Sequence, residues 1–284
     1  MARKPVITMV GAGNLANALA LALVAAGYRI DRILSRDRAA SRRRARVLGR
    51  RVGGKAATLG TPVFAELLWL CVSDDAIRPC ARSLSRKGSW KGKVVLHSSG
   101  ALSSDELAPL RSKGASVGSL HPMMTFVPGV RVRMSEVPFA VEGDRVAARV
   151  ARRIVRDLKA RVFTIPKANK PLYHAFGSFS SPMVIATLVM AERVGAAAGV
   201  PPRMRRDVML PIVKKTFRNY LEASADKAFS GPLARGDLNT IRRHLRALKK
   251  VPGAREIYVA LANSAVRHLP VRKRTAVAKV LKGK

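Results

Sequence analysis

Cysteine is scarce in this chain of 284 residues, which holds only Cys71 and Cys80. These two thiols make neither a metal-ligand spacing nor a disulfide framework, so no metal site is expected and a reducing cytoplasm is the expected setting. Acidic residues are also few, 17 against 54 Lys and Arg, which leaves a formal charge of +37. Aromatics are 5% of the chain, a poor supply of base-stacking platforms. A long apolar run is missing as well. The longest apolar helix candidate starts near Pro182 and meets Glu192 and Arg193 too early to span a bilayer. No paired zinc-ligand motif, nucleophile elbow, phosphate-binding P-loop or Ser-His-Asp arrangement is recognisable, and no targeting or lipidation signal stands out. Redox chemistry remains as the main enzymatic option.

The excess of positive charge is spread evenly, +18 over residues 1–160 and +19 over the rest. There is no basic tail, and arginine is scattered over every predicted helix. That distribution indicates a compositional bias with weak nonspecific polyanion binding as a by-product, and no specific nucleic-acid partner or membrane is expected. A content of 48% hydrophobic and 25% charged residues is that of a globular protein, long enough for two domains.

What is present begins at Val6. The apolar run to Val10 enters the turn Gly11-Ala12-Gly13-Asn14-Leu15-Ala16, and an Ala/Leu-rich helix follows to about Gly27. Binding of a dinucleotide pyrophosphate needs this order. Gly11 allows the tight strand-to-helix turn, Gly13 leaves no Cβ between backbone and phosphate, and Ala16 lets the helix pack close on the strand. The helix N-terminus then offers free N–H groups to the phosphates. A purely structural glycine turn is the bland alternative, but the strand and helix on either side favour the cofactor.

Strand patterns recur at Pro5–Val10, Ile30–Ser35, Glu66–Val72, Lys93–His97, Ser116–Leu120, Phe139–Glu142 and Arg161–Ile165, with helical patterns between several of them. This alternation predicts an α/β domain with a doubly wound parallel sheet. After Pro166 only helical patterns remain, so the boundary is expected near 166–168: a nucleotide-binding domain over 1–166 and an all-α substrate and dimerisation domain over 167–284. The early helices of the second half are rich in Ala, Val and Met, which suggests burial against a partner subunit in a homodimer.

Where an NAD site usually carries Asp or Glu, at the end of the second strand, this chain has Ser35 and Arg36, with Arg38, Arg42, Arg43 and Arg44 beyond. A hydroxyl and a guanidinium suit a 2′-phosphate, so NADP(H) is the expected cofactor. Asp37 is expected to cap the next helix. Val72 and Ser73, at the carboxyl end of the third core strand, are expected to line the ribose or nicotinamide site.

Six segments together resemble a bacterial family: Gly11–Ala16, Val72–Ile77, His97–Leu102, Gly118–Pro122, Lys170–Ala175 and Gly231–Asp237. In that family, the DUF2520 group, a Rossmann-like domain precedes a helical domain of unknown function, and its members are described as NADP-binding oxidoreductases. More distantly the chain is similar to pyrroline-5-carboxylate reductases, F420-dependent NADP reductases and β-hydroxyacid dehydrogenases. The resemblance implies a Rossmann domain followed by a 6-phosphogluconate dehydrogenase C-terminal-like helical domain, with a nicotinamide cofactor. It implies no particular substrate.

Hydride transfer needs a proton donor near the substrate heteroatom. Lys170 and His174, spaced i, i+4, share one helix face. In the β-hydroxyacid dehydrogenases that the chain distantly resembles, a Lys and an Asn at this spacing transfer the proton and bind substrate, and here His174 replaces the Asn. The leading assignment is Lys170 as general acid with His174 orienting the substrate. Ser98 and Ser99, beside His97 and Gly100, are expected to bind a substrate carboxylate or the carboxamide of nicotinamide, with His121 facing the same cleft and Arg235 suited to an anionic substrate. The expected activity is NADP(H)-dependent hydride transfer to or from a small carbonyl or imine in the cleft between domains. Alternatives are a non-catalytic NADP sensor or scaffold, a basic nucleic-acid binder, or a variant with F420 as co-substrate.

Overall fold

Short strands that are apolar on both faces must be covered on both faces, and this rule organises the first half of the chain. The computed structural model describes residues 3–283. Eight strands, β1 (Ile7–Val10), β2 (Ile30–Ser35), β3 (Lys55–Thr58), β4 (Leu67–Leu70), β5 (Val94–His97), β6 (Ser116–Pro122), β7 (Pro138–Gly143) and β8 (Arg161–Thr164), form one sheet in the order β3-β2-β1-β4-β5-β6-β7-β8. Every neighbouring pair is parallel except β6 with β7. The sequence expectation of a parallel, doubly wound sheet therefore holds, with one antiparallel step added.

Alternation within β4 places Leu67 and Trp69 in one core layer and Leu68 and Leu70 in the other. Helices α1 (Asn14–Ala25) and α2 (Ala39–Val52) cover the first layer, and α3 (Asp74–Ser85) and the single turn α4 (Ala108–Arg111) cover the second. Helix α5 (Arg145–Asp157) joins the first layer through Ala147, Ala151, Ile154 and Val155. Each fully buried Leu, Ile or Phe in these layers contributes about 1.5–3 kcal/mol. Chain order reverses between β1 and β4, so a crevice opens at their carboxyl ends, where α/β sheets bind ligands.

The contact pattern divides the chain after Ser181. Helix α6 (Lys170–Ser180) thus belongs to the sheet-bearing unit, and the compact division falls later than the expected 166–168, where strand signals end. The second unit contains α7 (Pro182–Ala197), α8 (Arg205–Glu222), the short α9 (Ala225–Ala228) and α10 (Pro232–Arg235), then α11 (Leu238–Ala247), α12 (Ala254–His268) and α13 (Arg274–Leu281). Its core gathers Ile241, Leu245, Ala262, Val266, Val277 and Leu281 from the last three helices. Neither α7 nor α8 has a buried residue.

One expectation on apolar length needs correction. Counted from Lys167 and not from Pro182, the stretch Lys167–Ala197 is long and apolar enough to cross a membrane by length and composition alone, its 18-residue apolar window having a mean hydropathy of 1.3. It is nonetheless shared between the two units at Ser181, and Lys170 within it is buried.

Glu142 on β7 fixes the segment that follows β5. Its buried carboxylate accepts from the Ser104 N–H at 2.7 Å and the Ser104 hydroxyl at 2.8 Å. Leaving even one such buried donor unpaired costs about 1–3 kcal/mol. Glu142→Ala is expected to lower unfolding free energy by roughly that amount in urea titrations. An unchanged midpoint and slope would show that the carboxylate carries no such load.

Candidate functional site

The crevice between β1 and β4 begins with a glycine that nothing else could replace. Gly11 has φ +99°, and a Cβ there would lie 2.3 Å from the Cys71 carbonyl oxygen. The β1–α1 turn is therefore pressed against the end of β4. Gly13 is different, since a Cβ there would meet no protein atom within 4 Å. The protein's own packing does not demand a glycine at 13, so the absent side chain keeps the turn's backbone open to whatever enters the crevice. Asn14 extends its amide to the Phe126 carbonyl at 3.0 Å and ties the turn to the loop after β6. Leu15 packs against the core and Ala16 is fully buried, so both serve the fold with their side chains.

A cavity of about 260 Å³ lies along this turn. Gly11, Ala12 and Gly13 form one wall, and Cys71, Val72 and Ser73 another. Its far end is lined by Ser35 and Arg36 at the end of β2, with Ser41 and Arg44 from α2. Arg44 belongs to the arginine-rich run beyond Arg36, whereas nothing in the sequence around Ser41 marks it as a cavity residue. They sit three residues apart, so one helix face brings both to the cavity. The other expectation here fails: Asp37 does not cap α2, whose N-cap is Arg38, but pairs with Arg42. Burial pushes the Cys71 thiol up to about 12, which disfavours the thiolate form.

Beside Cys71 the chain crosses to β5, where Ser98 N–H donates to the Leu70 carbonyl at 3.2 Å. Here a polar cluster surrounds Lys170. Its ammonium is buried, 1% exposed, and donates to the Ser99 carbonyl and the Ser119 hydroxyl, both at 2.5 Å. Burial pulls its pKa down from 10.5 to about 8, against the weaker opposing pull of Glu142 and Asp74. Lys170 is thus not a solvated lysine on a helix face. Two of its three N–H bonds are committed to the loop after β5 and to β6.

The histidines divide into two kinds. His97 turns inward: the Ser99 N–H donates to its Nδ1 at 3.1 Å, which leaves the ring proton on Nε2, 3.0 Å from the Ser103 carbonyl. Burial, aided by the charge of Lys170, depresses it to about 3. It is a structural pin for the turn, not a ligand contact. His121 meets the Tyr173 hydroxyl through Nδ1 at 2.9 Å, and its ring lies edge-on to His174 with centroids 6.2 Å apart. Burial and the neighbouring Lys170 and His174 hold His121 at about 3, so it is neutral at physiological pH. His174 itself is exposed.

Gly100 completes this group. A Cβ there would come within 2.6 Å of the His174 ring and 2.8 Å of His121 Nε2. Tyr173 and Gly100 therefore belong to this cluster through contacts that no spacing in the sequence displays. The two serines are largely occupied: Ser98 accepts from Trp69 Nε1 at 2.8 Å, and the Ser99 hydroxyl accepts from the N–H groups of Ala101 and Leu102. Arg235 lies in the second unit, exposed at the end of α10, where Asp237 caps α11 through Thr240.

Comparison with known proteins bears on the domains and the fold. Residues 2–122 match a Rossmann-like domain, and residues 137–265 match the "Domain of unknown function (DUF2520)", so the chain carries both. No curated protein matches. Among solved structures, the "putative NADP oxidoreductase BF3122 from Bacteroides fragilis" is 28% identical, with 92% of this chain and 97% of that one covered and a TM-score of 0.73. Protein TM1727 from Thermotoga maritima is 24% identical, covering 97% and 99% of the two chains with the same TM-score of 0.73. An imine reductase from Myxococcus stipitatus in complex with NADP+ is 15% identical over 98% and 100%, with a TM-score of 0.69. The last two show a shared fold.

The depressed pKa of Lys170 has a consequence for stability. Between about pH 8 and pH 10.5 the unfolded chain holds a proton on this lysine that the folded chain has released. Stability therefore rises with pH across that window. Lys170→Met is expected to flatten the rise when unfolding free energy is followed from pH 7 to pH 10. Parallel curves for the two proteins would remove Lys170 as its source.

Proposed function

We propose that this chain is an NADP(H)-dependent oxidoreductase that transfers a hydride to or from a small carbonyl or imine. The observation that carries the reading is the cavity at the sheet's switch point, where an unobstructed Gly13 shares one pocket with Arg36 and Arg44. The 28% identity to the Bacteroides fragilis protein supports it. In this reading the N–H groups of the 11–13 turn and the start of α1 hold the pyrophosphate. Arg36 and Arg44, with the hydroxyls of Ser35 and Ser41, hold the 2′-phosphate. Asp37, two residues beyond β2, is engaged by Arg42 and leaves the ribose to the guanidiniums. Bound there, the nicotinamide supplies or accepts the hydride.

The chain's own part is orientation and proton supply. Lys170 pins the Ser98–Gly100 turn and lends the site a positive charge that suits a substrate carboxylate. With a pKa near 8 it stays mainly protonated at neutral pH and yields its remaining proton more readily than a surface lysine. His121 is neutral and takes the Tyr173 hydroxyl on Nδ1, which leaves Nε2–H to orient a substrate oxygen or nitrogen. His174 and Gly100 shape the same wall. The two free cysteines support a cytoplasmic setting.

The helical unit supports a homodimer. Ile185, Val189, Val208, Ile212 and Leu221 are exposed on α7 and α8, which bury nothing of their own. Apolar faces of this extent mark association surfaces. Ile212→Asp combined with Leu221→Asp is expected to halve the mass seen by sedimentation equilibrium. A monomeric parent protein would end this part of the reading.

Titration with NADPH and NADH tests the cofactor site, and a panel of oxo acids and cyclic imines tests the chemistry. Arg36→Ala should weaken NADPH by about tenfold to a hundredfold, the worth of one charge-assisted contact, while NADH changes little. Equal losses for both would refute the 2′-phosphate role. Lys170→Ala should remove most turnover with NADPH affinity retained. Tight NADPH binding by the parent protein without turnover of any substrate would point to a sensor instead.

A further inference from the structure

The edge of the sheet away from the glycine turn carries a feature that hydride transfer does not use. On α5, Arg145, Arg149, Arg152 and Arg156 follow one another at steps of four, three and four residues, so they form a single stripe. With Val162 of β8 they line one groove of about 520 Å³. All four are exposed. Arg152 gives one hydrogen bond to the Thr164 hydroxyl at 2.8 Å. Among the described residues none of the four is ion-paired.

The carboxylates that could have neutralised the stripe are engaged elsewhere. Asp144, just before α5, is held by Arg111, and Asp157 at its end takes the Tyr28 hydroxyl and lies beside Lys4. Three successive like-charge neighbours on one helix face repel one another. The opposite face of α5 is buried through Ala147, Ala151, Ile154 and Val155, so its charges fall on the solvent side. Here four of the five arginines of α5 converge on one groove.

We propose that this groove binds the phosphodiester backbone of a nucleic acid without reading its bases. The stripe runs about 16 Å at roughly 1.5 Å per residue. A nucleic-acid strand presents one phosphate about every 3.4 Å of axis, so about five phosphates face four guanidiniums. The guanidinium fork matches phosphate oxygens. No aromatic side chain lines the groove, which leaves no platform for base stacking. An acidic protein partner fits less well, because the groove offers only Val162 as an apolar anchor. A membrane fits less well because the arginines flank a concavity.

The test is fluorescence anisotropy of a labelled mixed-sequence oligonucleotide, single-stranded and duplex, titrated with the full chain over a range of salt. Four changes together, Arg145→Gln, Arg149→Gln, Arg152→Gln and Arg156→Gln, are expected to weaken binding at least about tenfold and to flatten the dependence of log affinity on log salt by about 3. A control with the same net charge, Arg43→Gln, Arg46→Gln, Arg50→Gln and Arg86→Gln, should change affinity less than about twofold. If the four-site variant fails to fold by circular dichroism, Arg149→Gln with Arg152→Gln should produce about half of the slope change. Equal losses in variant and control would mean that overall charge does the binding, and would overturn the proposal. So would loss of binding to phosphatidylserine vesicles by the groove variant while neither protein takes up the oligonucleotide.

Discussion

The close approach of the first turn to the fourth strand is the constraint on which the rest depends. A methyl group at Gly11 would stand 2.3 Å from the Cys71 carbonyl oxygen, and the positive φ there is one that side chains rarely adopt. That contact sets where α1 begins and how its N-terminus faces the crevice. It also fixes the wall opposite, since Cys71, Val72 and Ser73 line the same cavity. The order of strands turns back at this point, so the sheet leaves its carboxyl ends open where the turn arrives. Gly13, two residues on, is free of any such contact. One glycine is required by packing, and the other leaves the turn's backbone uncovered.

A second tie joins α6 to the sheet. Lys170 crosses from the helix to the Ser99 carbonyl and the Ser119 hydroxyl, and its burial lowers its pKa. A buried ammonium is costly unless its donors are satisfied and negative groups stand near. The Ser99 carbonyl and the Ser119 hydroxyl meet the first need, and Glu142, which also holds Ser104 through two hydrogen bonds, meets the second by opposing the loss of charge on Lys170. The neutral His121, Tyr173 and the edge of His174 then meet over Gly100. Lys170 and Tyr173 of this cluster are buried, and His174 is its exposed edge.

Much of this was legible in the residues. Seven of the strands announce themselves as apolar, β-branched runs, and the glycine turn announces its helix. β3 escaped because Lys55-Ala56-Ala57-Thr58 has no such run and is held by pairing with β2. The antiparallel step between β6 and β7 is a matter of which strand finds which neighbour, and local patterning does not encode it. Arg36 was legible from its place at the end of β2, whereas Ser41 reaches the cavity through the phase of α2. Lys170 and His174 share a helix, yet one is buried and the other exposed, a difference set by the loop after β5. The spacing could not show that His97 points inward or that Gly100 makes room for two imidazoles. The second unit was legible as helical, but its lack of buried residues in α7 and α8 emerges only once their neighbours are known.

The most direct test of the central claim is calorimetric titration of the full chain with NADPH and, separately, NADH. The account predicts saturable uptake of one nucleotide per chain, with NADPH held more tightly. Absence of uptake for both nucleotides would contradict the assignment of the glycine turn to a dinucleotide and leave only the architecture standing.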